Sequence, residues 1–330
     1  MAEFDFAILG AGAMGSIVGA HLARAGHRVV MLARGARAAH LEKYGLTIGG
    51  LAQFSTPVHT LREPGALVSA TTLIVAMKTP GTAEALRSLA HVRFEVTLSI
   101  QNGPLKNELL AQTFGGERVL GALADASGEL LPDGTVLFTR NVSVYVGELG
   151  GGISPRSQRL AQLLDAAGVR AVATDEIQSL EWSKFCAWVG LMALSVATRA
   201  VTWKYLVDED AALLLARLVR EAGALARTLG IALTDRAVLP TASICTSPES
   251  AAVELVRRAG EEFHRTAPGH RMSSLQDVEA GRPLEVNETL GYACDKARQL
   301  SLDLPLLECF RRLIAAIDRT RRASPAVAGR

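Results

Sequence analysis

Phe4-Asp5-Phe6-Ala7-Ile8-Leu9-Gly10-Ala11-Gly12-Ala13-Met14-Gly15 decides the fold of this chain. Its first six residues read as a short buried strand. The glycine run then leads into a small-residue amphipathic helix over residues 16–25. After Gly26, Arg28-Val29-Val30-Met31-Leu32 reads as the next parallel strand. Strand, glycine turn, helix and strand within about 30 residues make the βαβ unit that takes a dinucleotide. In that unit Gly10 permits the tight turn, Gly12 lets backbone N–H groups approach a pyrophosphate, and Gly15 brings helix and strand into contact. Ala11, Ala13 and Met14 complete the turn, and the helix N-terminus presents partial positive charge to the phosphates. The plainer alternative is a tight turn that binds nothing.

The end of the second strand bears on which dinucleotide fits. NAD sites usually carry Asp or Glu there for the ribose 2′-hydroxyl. This chain has Ala33-Arg34-Gly35-Ala36-Arg37 and no acid until Glu42. The planar fork of Arg34 can pair with a 2′-phosphate that a carboxylate would repel, which favours NADP(H). Otherwise Arg34 and Arg37 are solvated loop charges.

At 330 residues the chain fits two domains with ample core. A net charge of +2 argues against nucleic-acid or membrane partners. The start, Met1-Ala2-Glu3-Phe4, shows no secretory signal. The uncharged runs 66–77 and 185–198 fall short of the ~20 residues a membrane span needs. Cys186, Cys245, Cys294 and Cys309 are scattered, as expected of reduced, mostly buried thiols in a cytoplasmic protein. The seven histidines form no ligand-spaced cluster, so no metal site is expected.

Strand and helix patterns keep alternating. Short strands are expected at 46–48 and 54–58, a buried parallel strand at 73–77, a helix at 82–89 and a strand at 96–100. A further strand follows at 119–123, then an antiparallel pair, 134–139 with 143–147, closing the sheet. A helix at 155–167 and a strand at 169–173 complete an N-terminal Rossmann-type, doubly wound α/β domain over residues 1–174. Lys78 and Asn102 fall just beyond strands, on the sheet edge where ligands bind in such folds. Each is equally a solvated lysine or an ordinary Asn-Gly turn. Residues 175–330 read as a C-terminal all-α domain for substrate and dimerisation. Its helices are expected at 175–198 (opened by a capping box of Asp175 and Gln178), 209–229, 249–263, 273–280, 285–300 and 305–319, with a frayed end beyond Arg321. The aliphatic runs 201–206 and 211–218 offer apolar surface for a homodimer.

On the helix from Asp175, residues Ile177, Leu180, Lys184, Ala187, Trp188 and Leu191 share one stripe. Lys184 is its one charge. Either the side chain snorkels, or its amine points, partly desolvated, into a cleft between domains as a proton donor.

With these residues in place, the sequence resembles the ketopantoate reductases (2-dehydropantoate 2-reductases) over nearly its full length. The likeness rests on Gly10 to Gly15, Arg34, Lys78, Gln101-Asn102-Gly103, Trp182-Ser183-Lys184, and Ser273-Ser274-Leu275-Gln276-Asp277 followed by Glu285. The resemblance implies NADPH-dependent reduction of a 2-keto acid, ketopantoate to pantoate on the way to pantothenate. It implies Lys184 as the acid that protonates the carbonyl oxygen, and Glu285 as the residue that orients the lysine and contacts the nicotinamide ribose. Asn102 would lie beside nicotinamide and substrate. Ser273, with Ser274 next to it, would hold the substrate carboxylate, and Lys78 and Arg34 the cofactor. Read without the family, Ser273 is a helix N-cap and Glu285 a first-turn acid.

The sequence departs from the family pattern at two substrate positions. Trp188 and Met192 stand where the family usually has asparagines four and eight residues after the lysine. An aromatic ring and a thioether remove hydrogen-bond partners for a substrate hydroxyl, so a more apolar 2-keto acid is an alternative substrate. A catalytically silent NADP-binding module is another alternative. Phe138 stands in place of a common family histidine.

Overall fold

Apolar runs of four to six residues separated by glycine turns assemble into one ten-stranded sheet. The computed structural model describes residues 2–323. The expected frayed end therefore lies, from residue 324 onward, outside the described residues. The chain divides after Gln178 into two compact units, 1–178 and 179–330.

In the first unit the elements run β1 (Phe4–Leu9), α1 (Ala13–Arg24), β2 (Val29–Leu32), α2 (Gly35–Tyr44), β3 (Leu46–Gly50), β4 (Phe54–Thr56), β5 (His59–Leu61), β6 (Ala70–Val75), α3 (Thr82–Arg87), β7 (Val96–Ser99), α4 (Leu105–Phe114), β8 (Val119–Leu130), β9 (Val136–Glu148), α5 (Pro155–Ala166) and β10 (Ala171–Ala173). The sheet order is β4-β3-β9-β8-β7-β6-β1-β2-β5, with β10 on β9. β1 lies parallel between β2 and β6, so the winding reverses there, the point beyond whose carboxyl ends ligands bind in doubly wound sheets. Two apolar clusters fill the faces: Ile8, Ile17, Met31 and Phe138 in one, Leu9, Leu73, Leu86 and Phe94 in the other. Strands buried on both faces explain why their sequences run continuously apolar.

One expectation is corrected here. Residues 134–139 and 143–147 are not two strands of a pair but one strand, β9, paired antiparallel with β8. The polar interruption at Arg140-Asn141 reads locally as a turn, yet both side chains have partners outside it. Arg140 makes a two-pronged ion pair with Asp125 at 2.8 and 3.1 Å. The Asn141 amide donates to Gly168 O and accepts from the Arg170 N–H. Irregular register between Asp125 and Gly128 lets the pairing continue past the interruption.

From Ile177 on, the chain is helical: α6 (Ile177–Thr198), α7 (Thr202–Val207), α8 (Glu209–Thr228), α9 (Thr241–Thr246), α10 (Glu249–Thr266), α11 (Ser273–Glu279), a π-helical turn (Asn287–Gly291), α12 (Tyr292–Gln299) and α13 (Pro305–Ala323). Small residues allow close helix contacts. A Cβ on Gly260 would sit 2.6 Å from that of Leu206. The Glu221 carboxylate accepts the Leu306 and Leu307 N–H groups at 3.0 and 2.7 Å, capping α13 from α8.

Three local readings of this half change. α6 begins at Ile177, so Asp175 lies outside it, and the hydrogen bond at its entrance is from the Glu176 N–H to Thr174 Oγ1. α6 is also no single-stripe amphipathic helix: residues 180 to 196 are buried on every side except at Lys184. The expected helix 285–300 instead starts as a π turn, where the Gly291 N–H reaches back to Val286 O at 2.8 Å.

Candidate active site

The glycine turn between β1 and α1 places different demands on its three glycines. Gly10 has φ 107°, and a Cβ there would fall 2.6 Å from the Met77 backbone N at the end of β6. At Gly15 a Cβ would lie 1.9 Å from Gly10 O, so helix and strand could not close. Gly12 differs: its φ of −70° suits any residue, and no atom lies within 4 Å of where its Cβ would stand. The protein's own packing does not require glycine at position 12, and the absence of a Cβ there leaves the backbone open to close approach, as dinucleotide-binding turns need. α1 opens behind it with no side-chain cap and no acid in its first turn, leaving N–H groups for an anion. Ala11 is buried, and Ala13 and Met14 are partly buried against the core.

Beneath this turn sits a residue whose role is not evident from the sequence. Arg37, in the first turn of α2, donates from Nε to Ala11 O (3.0 Å), from Nη2 to Ser16 Oγ (2.9 Å) and from Nη1 to Gly134 O (2.9 Å). Ser16 Oγ in turn donates to Ala11 O at 3.1 Å. Arg37 is thus no solvated loop charge, and burial pushes its guanidinium below the ordinary value. The signal available was position: α2 follows β2, which lies beside β1, so one helical turn in returns to the glycine run. Arg34, three residues earlier, caps α2 in extended conformation. It is exposed, with no ion-pair or hydrogen-bond partner for its guanidinium among the described residues.

The neighbouring strand ends are held together by Gln101. Its amide donates to Met77 O (2.9 Å) and Thr82 Oγ1 (2.8 Å) and accepts from Ser99 Oγ (2.9 Å). Lys106, 5% exposed, donates to Gln101 O at 3.0 Å and Ala122 O at 2.5 Å. This buried ammonium was also invisible in sequence. The half-buried Asn102 lies between these anchors, just past β7, and exposed Lys78 lies just past β6. Gly10, Gln101, Asn102 and Lys78 therefore gather on one sheet edge.

In the helical unit, Lys184 is half-buried in α6, with Trp188 7% and Met192 0% exposed in the following two turns. Ser183 anchors this stretch: its Oγ accepts the Thr234 N–H at 2.8 Å and its carbonyl accepts Thr241 Oγ1 at 3.1 Å. Trp182 and Phe185 flank the lysine and both pack on Tyr292, at ring separations of 6.5 and 6.1 Å. Tyr292 stands seven residues after Glu285, so the segments carrying Lys184 and Glu285 are neighbours.

Glu285 is 8% exposed and precedes the π turn rather than sitting in the first turn of a helix. π turns recur at functional sites because they reorient side chains. Burial, with the charge of Glu285 adding, pushes the Glu288 carboxyl above its ordinary value. The acid of the Ser-Ser-Leu-Gln-Asp run secures the approach to Glu285. Asp277 pairs with Arg282 Nε at 2.7 Å, its carbonyl accepts the Arg282 N–H, and Asp318 accepts the Leu284 N–H. Ser273 is exposed and is the first residue of α11, not its N-cap, a place taken by Met272. Ser274 is buried, and its Oγ has no hydrogen-bond partner among the described residues.

Among the described residues no group of three or more His, Cys, Asp or Glu is arranged to hold a metal, and no helix is long and apolar enough to cross a membrane. The cysteines are free, two of them buried and Cys309 exposed.

The chain is similar to several known proteins over most of its length. A 2-dehydropantoate 2-reductase from Archaeoglobus fulgidus is 29% identical over 311 residues, covering 94% of this chain and 97% of that one. The PanE/ApbA family ketopantoate reductase from Ralstonia eutropha JMP134 has a TM-score of 0.80 at 23% identity, over 96% of this chain and 99% of that one. D-mandelate dehydrogenase, in a ternary structure with NADH and anilino(oxo)acetate, has a TM-score of 0.82 at 19% identity, over 96% and 99%. The family profile "Ketopantoate reductase PanE/ApbA" matches residues 6–151, and its C-terminal companion matches 176–318. The chain therefore belongs to the ketopantoate reductase family, oxidoreductases that work with a pyridine nucleotide.

Proposed function

We propose that this chain reduces a 2-keto acid to the 2-hydroxy acid with NADPH, ketopantoate to pantoate being the first substrate to test. The observation that carries the reading is Lys184, the one ionisable side chain left half-open in a helix otherwise closed between residues 180 and 196. The nicotinamide supplies the hydride when bound. The Lys184 ammonium gives its proton to the carbonyl oxygen and stabilises the alkoxide charge as it develops. Glu285 orients that ammonium, Asn102 borders the reacting carbonyl, and Ser273 and Ser274 take the substrate carboxylate. The glycine turn seats the pyrophosphate, with Lys78 and Arg34 on the phosphates. NADPH is preferred over NADH because exposed Arg34 stands where an NAD site would carry an acid.

The test is NADPH oxidation with a panel of 2-keto acids, alongside Lys184→Ala. The variant should lose roughly 10²–10⁴-fold in kcat with NADPH affinity retained. NADPH binding without reduction of any keto acid would leave only a silent nucleotide-binding module.

Trp188 and Met192 favour a second reading, in which the substrate is more apolar than ketopantoate. Both are buried and neither can hydrogen-bond a substrate hydroxyl as an amide would. The same fold serves D-mandelate dehydrogenase, so the architecture accommodates such acids. Efficient turnover of ketopantoate at micromolar KM would refute this reading. A homodimer remains part of the proposal, to be read by sedimentation. Of the runs 201–206 and 211–218, Leu206, Leu215 and Leu218 lie in the core, which leaves the partly exposed Val201, Trp203, Leu213 and Leu214 as its candidate surface.

A further inference from the structure

In the helical unit a pocket of about 640 Å³ opens among Arg199, Leu275, Val278, Glu279, Arg321 and Arg322. Three guanidiniums meet one carboxylate there, and that carboxylate is already paired: Glu279 bonds Arg271 at 2.5 Å. Asp318 balances part of the charge of Arg321 and Arg322. Arg199 has no ion-pair or hydrogen-bond partner for its guanidinium among the described residues, so the pocket keeps excess positive charge.

The backbone beneath Arg199 is a second, independent observation. α6 ends at Thr198, and Arg199 follows at φ 53°, with its N–H bonded to Ser195 O at 3.0 Å. Glycine is the favoured residue at this left-handed helix exit, and any side chain there is strained. An arginine held in such a conformation, with an unpaired guanidinium lining a cavity, fits a side chain kept for a ligand. Arg321 adds a third. Its side chain is 11% exposed, and its buried Nε–H has no acceptor among the described residues. A buried donor without a partner is destabilising unless something binds it.

We propose that this pocket binds a small organic anion carrying at least two negative charges on phosphate or carboxylate groups. The forks of Arg199, Arg321 and Arg322 match such oxygens in pairs. Leu275 and Val278 line the wall for a short apolar part, and the volume lies within the range of small-molecule sites. Leu275, Val278 and Glu279 of α11, with Gly281 just after it, form one side of the pocket, on the stretch that runs from Ser273 to Glu285. Occupation therefore braces the segment that carries the proposed substrate residues, and the anion acts as an effector.

The test titrates the full-length protein with sodium pyrophosphate by calorimetry, with and without NADP⁺, and repeats it with citrate. Heat abolished by NADP⁺ belongs to the glycine turn; the expected result is a saturable component that NADP⁺ leaves intact. Pyrophosphate binding alone identifies a phosphorylated ligand, and citrate binding alone a polycarboxylate; either outcome supports the site. Arg199→Gly separates binding from folding, because it removes the guanidinium and relieves the strained backbone. It should weaken that component about tenfold or more while raising Tm, and Arg322→Ala should weaken it without raising Tm. The proposal is overturned if no saturable component resists NADP⁺, or if Arg199→Gly leaves the affinity unchanged.

Discussion

Replacing Arg37 by methionine keeps most of the side-chain length and removes the bonds that tie the glycine turn to α2 and to the β8–β9 turn. Two carbonyls, Ala11 O and Gly134 O, lose a charged donor, and the buried Ser16 hydroxyl loses another. Bonds to a charged group contribute about 1.5–3 kcal/mol each when breaking them strands a buried partner. Two effects reduce that sum. The guanidinium is only half-buried, so water replaces part of the loss, and its burial carries a desolvation penalty that the variant escapes. A net loss of about 2 kcal/mol follows, roughly a 30-fold fall in the folded-to-unfolded ratio. For a unit of this size that corresponds to a Tm lower by about 4–8 °C.

The functional effect should separate from the stability effect. With Ala11 no longer held, the turn is less well ordered for a pyrophosphate, so the KM for NADPH should rise about tenfold with kcat within about twofold. Arg37→Lys divides positioning from simple charge. If Arg37 acted through its charge on the cofactor phosphates, lysine would restore affinity; if through the fork, lysine would not. Urea unfolding and a fluorescence titration with NADPH read both quantities. An Arg37→Met protein that unfolds at the parent's urea midpoint and binds NADPH equally well would refute the reasoning.

Two further predictions follow from the same unit. Gly12→Ala meets no atom and should leave Tm unchanged or slightly higher while weakening NADPH about tenfold or more; Gly15→Ala, with a Cβ 1.9 Å from Gly10 O, should destabilise the fold by more than about 3 kcal/mol. Normal NADPH binding by Gly12→Ala would remove the pyrophosphate from the turn. His21 Nδ1–H donates to Ala167 O (2.9 Å), its Nε2 has no partner among the described residues, and its ring meets Phe54 and Phe138 edge-on. Burial lowers its pKa, so its contribution to stability is present above about pH 6.5 and is lost as pH falls toward the lowered folded value. Tm should therefore drop between about pH 7 and pH 5, and His21→Phe should flatten that drop; an equal slope in both proteins would exclude His21.

What was legible in the sequence was what local chemistry decides. The glycine turn is a run of positions with individual backbone demands, and Gly10 and Gly15 meet them through contacts with close neighbours in the unit. The doubly wound order follows from apolar runs alternating with helical periods. What was hidden depends on partners far along the chain. β9 looks broken at Arg140-Asn141 because Asp125 and Gly168 supply the missing support from elsewhere. Arg37 looks like a loop charge because its acceptors are 21, 26 and 97 residues away. α6 looks amphipathic because a stripe can be drawn on any helix rich in aliphatics, whereas only packing shows that the other faces are buried too. Ser273 looks like a cap until the helix start shifts that role to Met272.

Burial of α6 on all sides changes how Lys184 must be understood. On a one-stripe helix a lysine at the margin could extend along the surface and keep its ammonium in water, and the residue would say little about chemistry. Between residues 180 and 196 that escape is narrow, because Trp182, Phe185, Trp188 and Met192 close the turns around it. A charge kept in such surroundings is destabilising unless it has a partner. Glu181, one turn earlier and 6% exposed, is a second ionisable group held inside the same helix, and both residues have interaction partners. A buried Glu181 and a half-buried Lys184 in one turn of a largely apolar helix are not explained by stability alone, since well-packed aliphatics would serve as well or better. Their presence there fits the proposed proton transfer from Lys184. If the proposed mechanism holds, Glu181 is a candidate to position Lys184 alongside the proposed role of Glu285. Glu181→Gln should then shift the pH profile of kcat, whereas a purely structural role would change Tm and leave the profile in place.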